Sequence, residues 1–211
     1  MLPGPTLIRR CSDCGKLIAQ DTIASGNTFG AHFWTDGKVD APMLPDQPWL
    51  VKCRHCGALL WIDEQEQVGE KDPWESGDLD PDKFRDAREC ETPAASDYRA
   101  NLAEGISDQR KERYLRLRAW WAGNDPRRGE APAGPLSDAE IANLRAFLPL
   151  LNESDENDRI MKAEVLRELG RFEDAVALLA GPFDEEHSRA AAVIRDLAGR
   201  QISSVSEMQF G

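Results

Sequence analysis

"CSDCGK" at residues 11–16 and "CRHCGA" at residues 53–58 decide how the first third of this 211-residue chain is read. The chain holds five cysteines, and four of them stand in these two Cys-x-x-Cys-Gly pairs. Two residues between thiols let both sulfurs of a pair reach one ion, at about 2.3 Å for zinc. A glycine after the second thiol permits a sharp turn that a residue with a Cβ resists. The flanks repeat too: "LIRRCSDCGKLI" and "WLVKCRHCGALL" both run apolar, basic, Cys-x-x-Cys-Gly, apolar. Cys11, Cys14, Cys53 and Cys56 are therefore expected to hold one structural Zn2+ per chain. A redox pair would open a helix, whereas here each pair runs into Gly and a strand-like stretch. A full cysteine set also leaves no open position for a catalytic metal. Four thiolates on Zn2+ carry a charge of about −2, which Arg10, Lys16, Lys52 and Arg54 beside the cysteines would offset.

This pattern resembles the zinc ribbon, with 38 residues between Cys14 and Cys53. By position, the resemblance implies the same four ligands. His55 is expected to be an exposed loop residue, and Cys90 an incidental thiol. Short apolar runs bounded by Gly, such as "TLIRRC", "GKLIAQ", "WLVKC" and "GALLWID", predict strands. Asp36-Gly37 between the pairs is a hairpin-turn signal. Pro42, Pro45 and Pro48 then exclude a central strand, since they donate no ladder hydrogen bonds.

The fold class that follows is α+β: a zinc-ribbon domain over 1–62, an acidic linker or wrapped arm over 63–97, a helical domain over 98–203 and a loose tail over 204–211. The arm carries thirteen acidic and four basic residues, few apolar ones and recurring prolines. Trp74 and Phe84 are its candidate anchors. From Tyr98 onward the apolar period becomes helical. Tyr98, Leu102 and Ile106 share a face, as do Tyr114, Leu117 and Trp121. "SDAE" at 137–140 is a capping box opening a helix with Ile141, Leu144 and Leu148. Pro149 should end it. "AEVLRELGRFEDAVALL" follows, and a last helix is expected to present Ala190, Ile194 and Leu197. Ala163, Leu166, Gly170, Phe172, Ala175 and Leu179 resemble the small, large and turn positions of one tetratricopeptide-repeat hairpin. Pro182 departs from that pattern. One repeat cannot bury a continuous core alone, so the resemblance implies a repeat-like bundle and no long superhelix. Taken together, ribbon, acidic connector and repeat-like helices resemble a group of bacterial proteins, a resemblance that implies no activity.

The net charge is −12, from 26 basic and 38 acidic residues. Nucleic-acid binders normally carry a basic footprint, so this balance disfavours nucleic acid as the main partner. No apolar run approaches the roughly 18 residues of a membrane span or resembles a signal peptide, which makes the cytoplasm the expected compartment. None of the three histidines sits in a metalloprotease motif, and no nucleophile elbow or phosphate-binding glycine loop occurs. The expectation is a non-enzymatic, zinc-stabilised protein-binding or adaptor protein. Phe33, Trp34, Trp49, Trp120 and Trp121 are its candidate contact surface, since tryptophan is enriched in interface hot spots. An immunity protein or antitoxin covering a toxin, and a nucleic-acid-associated ribbon, are the alternatives.

Overall fold

The computed structural model describes residues 1–72, 84–129 and 134–209. Trp74 lies outside them. In chain order the strands are β1 (Leu2–Pro3), β2 (Thr6–Arg10), β3 (Leu17–Gln20), β4 (Ile23–Ser25), β5 (His32–Trp34), β6 (Val39–Asp40), β7 (Leu50–Lys52), β8 (Leu59–Trp61), β9 (Glu66–Lys71), β10 (Arg88–Glu89) and β11 (Glu207–Met208). The helices are α1 (Ala95–Ala103), α2 (Gln109–Asn124), α3 (Asp138–Phe147), α4 (Glu156–Glu168), α5 (Phe172–Leu178) and α6 (Glu185–Gly199). The fold is thus mixed α+β, strands first and helices after. The chain divides into two compact units: residues 1–31 with 40–93, and residues 32–39 with 94–211.

In the first, cysteine-bearing unit, β2 pairs antiparallel with both β3 and β9, and β10 adds parallel to β3. A second hairpin pairs β7 with β8, Leu50 opposite Trp61. β2, β3, β7 and β8 are the four strands that the apolar runs predict. One buried cluster joins Cys11, Ile18, Val51, Cys53, Leu60 and Ile62, with Cys14, Ala58 and Cys90 packed against it, and Ile8 and Leu50 are buried in the same unit. β9 and β10 both come from the acidic stretch expected as linker or arm, and pair with β2 and β3. Phe84, 8% exposed, lies over Gly69 of β9. A Cβ on Gly69 would come within 2.2 Å of the Phe84 ring, so only glycine lets the arm lie so close.

In the second, helical unit, α4, α5 and α6 meet around Ile160, Leu166, Leu179 and Ile194. Ala163, Ala175, Ala191 and Ala198 fill the closest approaches, where larger residues would hold the helices apart. A second cluster joins Trp120 of α2 to Leu144, Phe147, Leu151, Met161 and Val165. The capping box forms as predicted: the Glu140 N–H donates to Ser137 Oγ and the Ser137 N–H to Glu140 Oε2. α3 stops at Phe147, two residues before Pro149. Gly170, at φ 73°, makes the break between α4 and α5.

Several faces are rotated from those expected. On α2 the buried residues are Leu115, Arg118, Ala119, Trp120 and Asn124, while Leu117 is partly buried against the core and Tyr114 and Trp121 are half-buried. Polar Arg118 and Asn124 hide the true stripe from an apolar count. α6 buries Ala191, Ile194 and Ala198, with Ala190 partly buried against the same core and Leu197 half-buried. α1 ends at Ala103, short of Ile106, where Gly105 takes φ 86°.

Residues 32–39 group with the helices although they lie between the cysteine pairs. Asp36-Gly37 does form a hairpin turn, with Gly37 at φ 79°. Asp36 is fully buried, however, where a turn residue is usually exposed. Arg128 grips its carboxylate through both terminal nitrogens, and Asn124 Nδ2 donates to the same group at 3.0 Å. Trp121 Nε1 donates to the Asp36 carbonyl. One helical turn deeper, Arg167 pairs with Glu164, both side chains at 0% exposure, and donates to Thr35 Oγ1 and the Ser204 carbonyl. The C-terminal stretch expected to be loose is also tied in. Met208 pairs with Phe33 across β11 and β5, and Val205 is buried.

Candidate metal centre

Each cysteine pair sits at the tip of a two-stranded hairpin, and the two tips have the same backbone bonds. The Gly15 N–H donates to the Cys11 carbonyl at 2.9 Å and the Cys11 N–H to the Lys16 carbonyl at 3.0 Å. The Gly57 N–H donates to the Cys53 carbonyl at 2.7 Å and the Cys53 N–H to the Ala58 carbonyl at 2.9 Å. Gly15 and Gly57 take φ of 70° and 80°, the left-handed conformation the motif requires of them. The approximate twofold repeat seen in the sequence is thus a repeat of conformation.

The tips bring all four predicted ligands together. The Sγ atoms of Cys11, Cys14, Cys53 and Cys56 lie within 4.8 Å of one another. Cys11 and Cys56 sulfurs are 3.9 Å apart, and those of Cys14 and Cys53 are 4.0 Å apart. No disulfide joins them; a bonded pair would sit at about 2.05 Å. For tetrahedral Zn–S bonds of about 2.3 Å, the sulfur–sulfur edge is about 3.8 Å. The observed edges match that figure, so the four thiols could hold one metal ion and would fill its coordination shell.

Backbone N–H groups already point at these sulfurs. That of Lys16 holds the Cys14 thiol below its ordinary pKa, which favours the thiolate a metal needs. Burial pushes Cys11 the other way, against the amides of Cys14 and Asp13. Cys90 packs beside the group without joining it, and burial raises its pKa to about 12. It is a neutral packing thiol.

Two residues brace the tips that the sequence did not single out for the purpose. His55, half-buried and not the exposed loop residue expected, donates from Nε2 to the Leu17 carbonyl at 2.9 Å, tying the second tip to the first hairpin. Gln65 accepts from the Ser12 N–H at 2.9 Å and donates to the Trp61 carbonyl at 3.1 Å, so it links the same two hairpins. Of the flanking cations, Arg10 pairs with Glu66 and Arg54 with Glu91. The chain matches none of the family models, curated proteins or solved structures it was compared with. Its chemistry has to be read from its own residues.

Among the described residues one other group has metal-like spacing, Glu156, Asp184 and His187. Helix capping accounts for it: Asp184 accepts from the His187 N–H at the start of α6, and its own N–H donates to Glu156.

The expected aromatic contact surface breaks apart. Trp34 and Trp120 are 9% and 3% exposed. Trp120 belongs to the helical core, and its Nε1 donates to Glu168. Trp121 is held by Asp36, and Phe33 is half-buried in β5. Two of those four are thus buried and two half-buried. Trp49 remains, 45% exposed on the cysteine unit. Phe29, at 78%, is more exposed than any of the five, and the count of tryptophans gave no reason to choose it.

Proposed function

We propose that this is a non-enzymatic, protein-binding module whose first unit is a zinc ribbon and whose second is a tetratricopeptide-like helical bundle. The observation that carries the reading is the convergence of four thiols, all within 4.8 Å of one another, on one buried cluster of the first unit. A fully ligated zinc there would supply folding energy and no catalytic site.

The partner surface lies on the cysteine unit. Phe29, Met43, Leu44 and Trp49 are exposed there, as are Met1 and Leu2. The loops that carry three of them meet: the Asn27 N–H, two residues before Phe29, donates to the Met43 carbonyl, and Gly26 lies against Leu44. An exposed apolar patch of this kind is the usual mark of an interaction site. The experiment is affinity capture with the zinc-loaded protein and with the Phe29→Ser, Trp49→Ser double variant. Both should bind zinc and melt alike, and one specific protein should be held by the parent and lost by the variant. Identical captures would remove the patch from the account.

A further inference from the structure

The helical unit holds an open cavity of about 900 Å³ that takes no part in the metal centre. Its apolar lining residues are Leu136, Ile141, Leu169 and Phe172, all only half-buried, together with buried Val205, and Ser203, Ser204 and Gly170 are among the others, so that polar and apolar surface share it about equally. Asn124 and Glu168, at 1% and 5% exposure, are its deepest polar members. Both are fixed in place: Glu168 accepts from Trp120 Nε1 and from Asn124 Nδ2, each at 2.9 Å. A wide pocket with an apolar stretch of wall and a few immobilised polar groups is a usual form of small-molecule site.

The charges lining the cavity run against the rest of the protein. The chain as a whole is at −12, yet the ionised side chains among the described lining residues are Arg127 and Arg145. Glu168 is the one acid among them. Burial, with Glu164 and Asp36 close by, raises its pKa to about 8, so it is mainly uncharged at neutral pH. Arg127 is already committed to Glu140, at 2.6 and 3.2 Å, and to the Gly123 carbonyl. Arg145 is different. It stands exposed on α3, and among the described residues no hydrogen bond or ion pair engages it. One uncommitted guanidinium beside apolar walls suits a ligand with an apolar body and a single negative charge.

From this geometry we infer that the cavity binds a small organic monocarboxylate, its apolar body against Leu136, Ile141, Leu169 and Phe172 and its carboxylate on Arg145. The site is independent of the metal and of the patch on the cysteine unit, so it stands or falls apart from the protein-binding reading.

The test is titration of the full-length, zinc-loaded protein with isovalerate, phenylacetate and indole-3-acetate, each beside its neutral amide, followed by amide NMR. At least one acid should shift Ile141, Gly170, Ser204 and Val205 saturably below about 10 mM, and bind about fivefold tighter than its amide. Arg145→Gln should lose that advantage while melting at the parent temperature, and Ile141→Trp, which puts a bulky ring on the wall where the apolar body would lie, should weaken binding of the acid. No saturable shift from any of the three acids would overturn the inference. So would equal binding of acid and amide. An Arg145→Gln variant that melts lower yet binds unchanged would give Arg145 to the C-terminal end of α3 alone, and would overturn it too.

Discussion

In the cysteine unit four thiols, Cys11 and Cys53 buried among them, converge on one point; in the helical unit the buried polar groups are Asp36, Glu164 and Glu168 interleaved with Arg128 and Arg167. The first arrangement is incomplete as a set of side chains. Its sulfurs attract each other little, and one metal ion could join them. The second is complete in itself, because each guanidinium meets a carboxylate and each carboxylate a donor. The difference teaches that one chain can gather polar groups in two ways, once as thiols open to an external ion and once as charges that pair with each other. The two solutions should respond to different chemistry.

Metal removal should give the largest effect. Structural zinc contributes about 10–16 kcal/mol to domains that fold around it. Chelation, or Cys53→Ser with Cys56→Ser, should unfold the cysteine unit, with loss of near-stoichiometric zinc by elemental analysis. Most helical circular dichroism should persist, since no metal ligand lies in the helical unit. Complete loss of helicity would show that the units are not independent.

Next comes the buried pair. Arg167→Met alone leaves Glu164 without its partner at 0% exposure, and should cost about 3–5 kcal/mol in denaturant unfolding. Adding Glu164→Leu should restore much of that loss, because two apolar residues need no desolvation offset. If the double variant is no better than the single, the network has a role that apolar packing cannot replace.

A smaller effect should come with pH. The pKa of Glu168, raised from 4.5 to about 8 by burial and then by Glu164 and Asp36, means that the folded state holds its proton more tightly. That contribution is complete below about pH 4.5 and is lost as pH rises through about 8. At about 1.4 kcal/mol per pH unit, the helical unit should lose about 3 kcal/mol between pH 5.5 and 8.5. Glu140 acts in the opposite window. Burial alone would raise it, but Arg127 and Ser137 outweigh burial and hold it at about 2, so its contribution falls away below pH 4.5. Glu168→Gln should flatten the alkaline slope and leave the acid one. An unchanged alkaline slope would place the titration elsewhere.

The cysteine tips were legible because their requirements are local. Cys-x-x-Cys spacing, the glycine that follows and the flanking apolar runs all act within about a dozen residues. The Ser137–Glu140 box and the stop before Pro149 were legible for the same reason. The membership of residues 32–39 was not. Gly37 satisfies a tight turn equally well on a surface or in a core, and nothing near Asp36 announces that Arg128 will grip it from 92 residues on. The burial of Arg118, Asn124 and Glu168 was not legible, because burial of polar groups depends on partners that a periodicity cannot show. Gln65 was likewise lost in the acidic stretch, although it braces the metal centre.

The hairpin at Asp36 also sets an order of events during synthesis. Its turn leaves the ribosome with the first half of the chain, but Arg128 follows 92 residues later. At about 5–20 residues per second that gap lasts on the order of 10 s. Throughout it, Asp36 has to stay in water while the second cysteine tip, at residues 53–56, emerges beside it. The cysteine unit is thus free to take its metal before the helical unit is complete. For the same reason a gene cut at residue 97 would not release an intact helical half, because the piece that neutralises Arg128 is written upstream of the cut.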